Sequence, residues 1–192
     1  LSVAPDNNRY DARENCNAII ETSTNTLVVS CPTTVIPSSV EVIGSYAFAS
    51  RNDLTTFSIP SGVTEIGRSA FQYCYNLQSI DLPNSLKIIA PYAFWYCQSL
   101  NHVVLGTGII RVADDAFACC SELDDITVKS STFLWVPEST LSGIKSTATI
   151  KVPEALVSEY QANSPWNLYN IVADGSGSGG SSSASTYIFV DS

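Results

Sequence analysis

Apolar side chains return every 23 residues between positions 36 and 128. One column is branched and precedes a turn: Ile36, Ile59, Leu82, Leu105 and Val128. Others run Val40, Val63, Leu86, Ile109, then Ile43, Ile66, Ile89, Val112, and then Leu54, Leu77, Leu100, Leu123. The dipeptide Ala-Phe keeps the same step at Phe48, Phe71, Phe94 and Phe117. A fixed period of roughly 20–30 residues marks a solenoid, in which each coil buries its apolar face only against its neighbours.

Within a repeat the pattern predicts three segments. Thr56, Phe57, Ser58 and Ile59 alternate polar and apolar, the period of a short half-buried strand, and Pro60 ends it because it cannot donate to a ladder. Residues 63–67 form a second extended run on another side of the coil. Residues 69–74 predict a compact helical or 3-10 return turn, where small Ala beside large Phe lets coils nest and each Phe stack on the next. Outward strand positions on successive coils then line one concave strip: Thr33, Val35, Thr56, Ser58, Ser79, Asp81, His102, Val104, Asp125 and Thr127.

The flanks break the period. Residues 1–35 read as an irregular polar leader followed by a capping hairpin around residues 22–25, needed because a stacked array must shield its open end. Residues 36–128 hold four repeats. Residues 129–174 predict irregular coils and a cap helix, with Pro153 suited to a helix start, an apolar face at Ala155, Leu156, Val157 and Tyr160, and Trp166 as packing anchor. Residues 175–183 (GSGSGGSSS) have the composition of a flexible linker, either an artificial joint or a natural hinge. The tail, residues 184–192, carries a β-prone run able to add a strand to an open sheet edge, in the same molecule or in a tail-mediated dimer; otherwise a monomer is expected.

Charge narrows the function classes. The 192 residues carry 9 basic and 18 acidic side chains, a net −9. Duplex nucleic acid, whose affinity rests on cations neutralising phosphates, is disfavoured, as are anionic lipid headgroups. No apolar run approaches the roughly 18 residues of a membrane span, so no membrane insertion is expected. Methionine is absent even at position 1, which fits a fragment of a secreted or surface protein.

Three of the six cysteines follow the repeat. Cys74, Cys97 and Cys120 stand three positions after Phe, where a thiol packs inward as a small hydrophobe; Arg51 holds that place in the first repeat. One ligand per coil does not converge on a metal, and no metal or cofactor is expected. Cys119 falls outside the pattern. Cys16 and Cys31 flank the hairpin and are the one disulfide candidate, the alternative being two reduced thiols.

The repeat Leu-x-x-Ile-x-Leu/Ile-Pro-x-x-Val/Leu-x-x-Ile-Gly/Ala-x-x-Ala-Phe-x-x-Cys resembles the BspA-type (Treponema pallidum-like) leucine-rich repeat of bacterial surface proteins. The run NCNAIIET at residues 15–22 resembles the unit leading such arrays, and residues 150–163 with Trp166 resemble their C-terminal cap, so the likeness covers residues 7–173. Arg51 for Cys, Gly106 for Pro and Val112-Ala113 for Ile-Gly depart from it. The resemblance implies an α/β solenoid: a leucine-rich-repeat right-handed superhelix of short parallel strands with helical or 3-10 return turns, a hairpin cap and a helical cap. It also implies a secreted or surface-anchored protein used for adhesion to host matrix proteins or cells.

No reaction can be read from the residues. His102, the only imidazole, sits in the outward strand column with Ser79 and Asp125, but an open strand face offers no oxyanion hole or water exclusion, and no enzyme is expected. The pairs Asp114-Asp115 and Asp124-Asp125 suggest calcium, yet neighbours in a strand point to opposite faces. Binding is the remaining reading. One candidate surface is the small, hydroxylated strip. The other is the return-turn aromatic cluster of Tyr73, Tyr75, Tyr92, Trp95 and Tyr96, since aromatics carry interface energy and stack on sugars. The function classes are an adhesin for host extracellular protein, cell-surface protein or glycan, a spacer presenting another domain, and an accessory glycan-capture protein.

Overall fold

The computed structural model describes residues 1–175. At the N-terminus, β1 (Tyr10–Asp11), β2 (Ala18–Glu21) and β3 (Thr26–Ser30) pair antiparallel. The expected hairpin is β2–β3, bulged between Ile19 and Ile20. The leader is less irregular than the sequence predicts, because it supplies β1 and a 3-10 turn at Arg13–Asn15.

The coils follow: β4 (Val42–Ile43), β5 (Thr56–Ser58), β6 (Glu65–Ile66), β7 (Ser79–Asp81), β8 (Ile88–Ile89), β9 (His102–Leu105), β10 (Arg111–Val112), β11 (Asp125–Val128), β12 (Thr149–Val152) and β13 (Asn170–Ala173). They form two sheets, one ordered β1-β2-β3-β4-β6-β8-β10 and one ordered β5-β7-β9-β11-β12-β13. All pairings from β3 onward are parallel, and through the repeats they hold the 23-residue register, as in Thr56↔Ser79↔His102↔Asp125. The capping hairpin works by extending one sheet: Leu27 pairs with Ile43, and the buried Ala18, Ile20 and Leu27 close the core. Thr33 and Val35 lie in no strand, so the outward column begins at Thr56.

The core is the set of repeat columns. Phe48, Phe71, Phe94 and Phe117 stack with centroids 5.0, 5.1 and 5.1 Å apart and planes within 8° of parallel. Each Cys thiol beneath them donates to a Phe carbonyl on the preceding coil: Cys74 to Phe48, Cys97 to Phe71 and Cys120 to Phe94, at 3.1, 3.1 and 3.2 Å. Gly106, a departure from the repeat's proline, is sterically required: a Cβ there would lie 2.6 Å from the Pro83 carbonyl oxygen.

The return turns are not helical. They are chains of β-turns in which alternate amides bond within the coil and across to the next. Ala47 N donates to Gly44 O and Ala49 N to Tyr46 O, while Tyr46 N reaches Arg68 O and Phe48 N reaches Ala70 O. Such a ribbon needs a left-handed residue at the third position of its turns. Two columns supply it with φ of 54–62°: Tyr46, Ser69, Tyr92, Asp115, and Ser50, Tyr73, Tyr96, Cys119.

Beyond Val128 the coil is one residue longer, since β11 pairs with β12 at an offset of 24 (Asp125↔Thr149). The cap combines a 3-10 turn Glu154–Leu156 with α1 (Val157–Ala162), from which Tyr160 is fully buried, and with Trp166, which is 1% exposed. The expected helix is therefore short, and β12 and β13 carry most of the closure. The predicted tail and all but the first residue of the linker lie outside the described residues.

Candidate functional site

The outward column of the second sheet is only partly available. Thr56, Ser58 and Asp81 are exposed, Ser79 and Val104 half-buried, but Thr127 is 7% exposed, between Val104 and Lys151 in the ladder. Thr127 is thus a correction to the predicted strip. A shallow depression of about 500 Å³ lies over Thr56, Phe57, Ser58, Ser79 and Asp81. Further along, the strip's charges pair with one another, although Asp125 Oδ1 is buried without a hydrogen-bond partner among the described residues. His102 Nδ1 faces Asp125 Oδ2 at 3.4 Å and its Nε2 faces Asp81 Oδ1 at 4.0 Å, while the Lys151 ammonium binds Asp125 Oδ2 at 2.7 Å. Ser79 pairs with His102 through the ladder register, yet the imidazole lies between two carboxylates and not against a hydroxyl. That geometry holds charges in place and activates no nucleophile.

Asp124 is likewise held by a lysine, Lys145, at 3.3 Å. Among the described residues no group of three or more His, Cys, Asp or Glu side chains is arranged to hold a metal ion.

The thiols sort by environment. Cys16 and Cys31 are both free; Cys16 is buried against the Ala18 carbonyl and Cys31 lies 3.6 Å from the Thr33 hydroxyl, so the candidate disulfide is not formed in this structure. The Thr33 hydroxyl lowers the Cys31 pKa. In the ladder, hydrogen bonding to Cys97 and then burial hold the Cys74 thiol far above its ordinary range, and burial foremost does the same to Cys97. These thiols are packing groups. At the head of the column the largely covered Arg51 side chain has its fork bidentate on Asp53 at 2.7 and 2.8 Å and its other nitrogen on the Ser30 hydroxyl.

On the return turns the five predicted aromatics form one connected cluster. Tyr73 touches Tyr75, Trp95 and Tyr96 with centroids 5.8, 5.2 and 5.8 Å away; Trp95 in turn meets Tyr92 at 5.8 Å and Tyr96 at 4.7 Å. Their rings stay half-buried or exposed, because the inward place on each coil is already filled by Phe. Cys119 lies beside this cluster and, by charge and hydrogen bonding, raises the Tyr96 pKa.

Sequence reasoning missed three members of this surface: Tyr46, 57% exposed, and Arg68 and Gln72. With Ser69, Tyr92 and Trp95 they line a cleft of about 340 Å³. The signal was present in the register. Tyr46, Ser69 and Tyr92 share one turn position on successive coils, so a small residue separates two tyrosines and opens a gap.

A second cleft of about 480 Å³ lies between β10, the last strand of its sheet, and residues 132–137. Its rim carries Ile110 and Trp135, 74% and 67% exposed.

A family profile described as BspA type leucine rich repeat region matches residues 20–147 in six copies. The chain belongs to this family. Among solved structures, a leucine rich cell surface protein from Faecalibacterium prausnitzii is similar at 29% identity and a TM-score of 0.68 over 79% of this chain and 41% of that one. The pneumococcal vaccine antigen PcpA matches at 17% identity and a TM-score of 0.66 over 90% of this chain and 49% of its own, a likeness of fold alone. A leucine-rich repeat protein from Bacteroides capillosus aligns at 23% identity and a TM-score of 0.50 over 59% of this BspA-type chain. The chain spans less than half the length of the first two. No curated protein matches it. Among the described residues no helix is long and apolar enough to cross a membrane.

Proposed function

We propose that this BspA-type chain is a non-enzymatic recognition module acting outside the cell or on its surface, and that it meets its ligand through the turn-side aromatic ledge. A cell-surface leucine-rich protein and a vaccine antigen among its structural neighbours support the location. The ligand class is a host extracellular protein, a cell-surface protein or a glycan. The observation that carries the choice of surface is backbone conformation. Tyr46, Tyr73, Tyr92 and Tyr96 all occupy left-handed turn positions, with φ of 60–62°. The ribbon imposes that conformation on every coil, so a tyrosine placed there has its backbone fixed by the turn. Aromatic rings fixed on the outside of a rigid ribbon supply contact area with little entropy left to lose on binding.

The depression over Thr56, Ser58, Ser79 and Asp81 favours the strip as a second reading. One experiment separates the two. The chain is applied to an array of matrix proteins, mucins and glycans beside a ledge variant (Tyr75→Ser with Trp95→Ala) and a strip variant (His102→Ala, Asp81→Ala, Asp125→Ala). Binding lost only in the ledge variant supports the proposal. Binding lost only in the strip variant moves the site to the strands, and silence across the array leaves a spacer as the better account.

A further inference from the structure

The cleft lined by Tyr46, Arg68, Gln72, Tyr92 and Trp95 has a chemistry more specific than that of the ledge around it. Five of the eight other Lys and Arg side chains on this acidic chain are ion-paired: Arg9 with Glu21, Arg13 with Asp11, Arg51 with Asp53, Lys145 with Glu122 and Lys151 with Asp125. Arg68 is exposed and makes no ion pair or side-chain hydrogen bond among the described residues; its guanidinium lies over the Tyr92 ring, 4.8 Å from the centroid. This cation–π contact leaves the N–H fork free, the group that grips a carboxylate with two parallel hydrogen bonds. The Gln72 amide is also without a side-chain partner among the described residues and adds a donor and an acceptor at the same wall.

The shape suits a sugar ring. Tyr46 and Tyr92 stand two coils apart at one turn position with Ser69 between them, and two strand spacings put their backbones roughly 9–10 Å apart. The volume, about 340 Å³, is at the lower end of the roughly 300–1,000 Å³ of small-ligand sites. Sugar rings offer apolar C–H faces to aromatic walls and hydroxyls to an amide. Net charge then limits how many carboxylates the ligand brings: a protein at −9 repels an extended polyanion, whereas one carboxylate held at short range escapes most of that field.

We infer that this cleft binds a single carboxylated sugar at the end of an otherwise neutral glycan, with Arg68 bidentate on the carboxylate, Gln72 on ring hydroxyls, and Tyr46 and Trp95 against the ring. The inference rests on the ledge being the contact surface.

The test is titration of the intact chain with sialyllactose, lactose, the methyl ester of sialyllactose and a glutamate-rich peptide, followed by ligand-observed NMR. Sialyllactose should bind at least about tenfold more tightly than lactose or the ester, the scale of a charge-assisted bidentate pair. Arg68→Gln should erase that advantage, and Arg68→Lys, which keeps the charge but not the fork, should restore only part of it. Arg68 is exposed, so an unchanged unfolding temperature is expected in both variants and serves as the folding control. Absence of sialyllactose binding, an advantage that survives Arg68→Gln, or equal binding of the acidic peptide would each overturn the inference. Equal binding of sialyllactose and lactose, both lost in Trp95→Ala, would sink the carboxylate site and leave the ledge standing. Glycan binding indifferent to Trp95→Ala and Arg68→Gln alike would remove both.

Discussion

The Trp166 indole donates to the Leu134 carbonyl at 2.9 Å, across 32 residues of chain. The Leu134 amide in turn donates to the Tyr160 hydroxyl at 3.0 Å. Both backbone groups of Leu134 are therefore satisfied by cap side chains and not by a neighbouring strand. This is how the solenoid ends one of its sheets. The coil after Val128 carries an extra residue, the segment beside β10 forms no ladder, and two aromatic side chains replace the missing strand. Their rings also pack edge to face, 5.3 Å between centroids.

Tyr160→Phe should therefore destabilise the fold by about 1–3 kcal/mol, because it leaves the buried Leu134 amide without an acceptor. Burial pushes the Tyr160 phenol up to about 12 from an ordinary 10. The folded protein keeps that proton where the unfolded chain has lost it, so the stability it contributes is complete below about pH 10 and falls as pH rises toward 12. Urea unfolding of the parent and of Tyr160→Phe across that window checks both statements. A parent curve no steeper than the variant's would contradict the second.

What the sequence makes legible is whatever recurs. Every coil presents the same environment to the same position, so the Phe stack, the thiol ladder and the two strand columns follow from the period alone. The misreadings lie where the period is interrupted or conformation is hidden. Thr127 belongs to the outward column by spacing, but β12 beside it comes from the lengthened coil, and the position is covered. The return turns read as helix or 3-10 because Ala-Phe suits either. Their left-handed residues are Tyr, Ser, Asp and Cys and carry no glycine signature. Arg68 and Gln72 escaped because the cleft draws on three coils, and within any one coil each is an ordinary polar residue.

Phe71 lies between Phe48 and Phe94 and also meets Phe57 edge-on at 5.7 Å. Phe71→Ala should cost about 3–5 kcal/mol, the range for emptying a buried aromatic site. Phe71→Leu should cost less, since volume is partly kept and the stacking contribution of roughly 0.5–1.5 kcal/mol per pair is what goes. Chemical denaturation of the two variants reads the difference. Equal losses would mean that the volume leucine keeps contributes nothing and that loss of the ring contacts sets the whole cost.

Thiol labelling of the native protein should reach Cys31 first. It is half-buried, and the Thr33 hydroxyl lowers its pKa and so favours the thiolate. Cys119 is the other accessible thiol, whereas Cys16, Cys74, Cys97 and Cys120 are buried and should react only on unfolding. Mass spectrometry after brief alkylation should show no more than two adducts, and six after denaturation without reductant. Four adducts in the denatured sample, with Cys16 and Cys31 unlabelled, would show that those two are bridged after all.

Tyr46 joins strain to function most directly. It is 57% exposed, its φ is 60°, and no ring among the described residues stacks on it. Glycine adopts that conformation freely, so Tyr46→Gly should relieve about 1–2 kcal/mol of backbone strain. The greater freedom of glycine in the unfolded chain opposes this by about 0.4–1 kcal/mol. The expected outcome is a protein as stable as the parent or about 1 kcal/mol more stable that binds its ligand several-fold more weakly. A calorimetric scan paired with the glycan titration measures both sides. A destabilised variant would mean the tyrosine packs against the ribbon, whereas a stabilised one with lost binding would show that the tyrosine is kept at this left-handed position for contact.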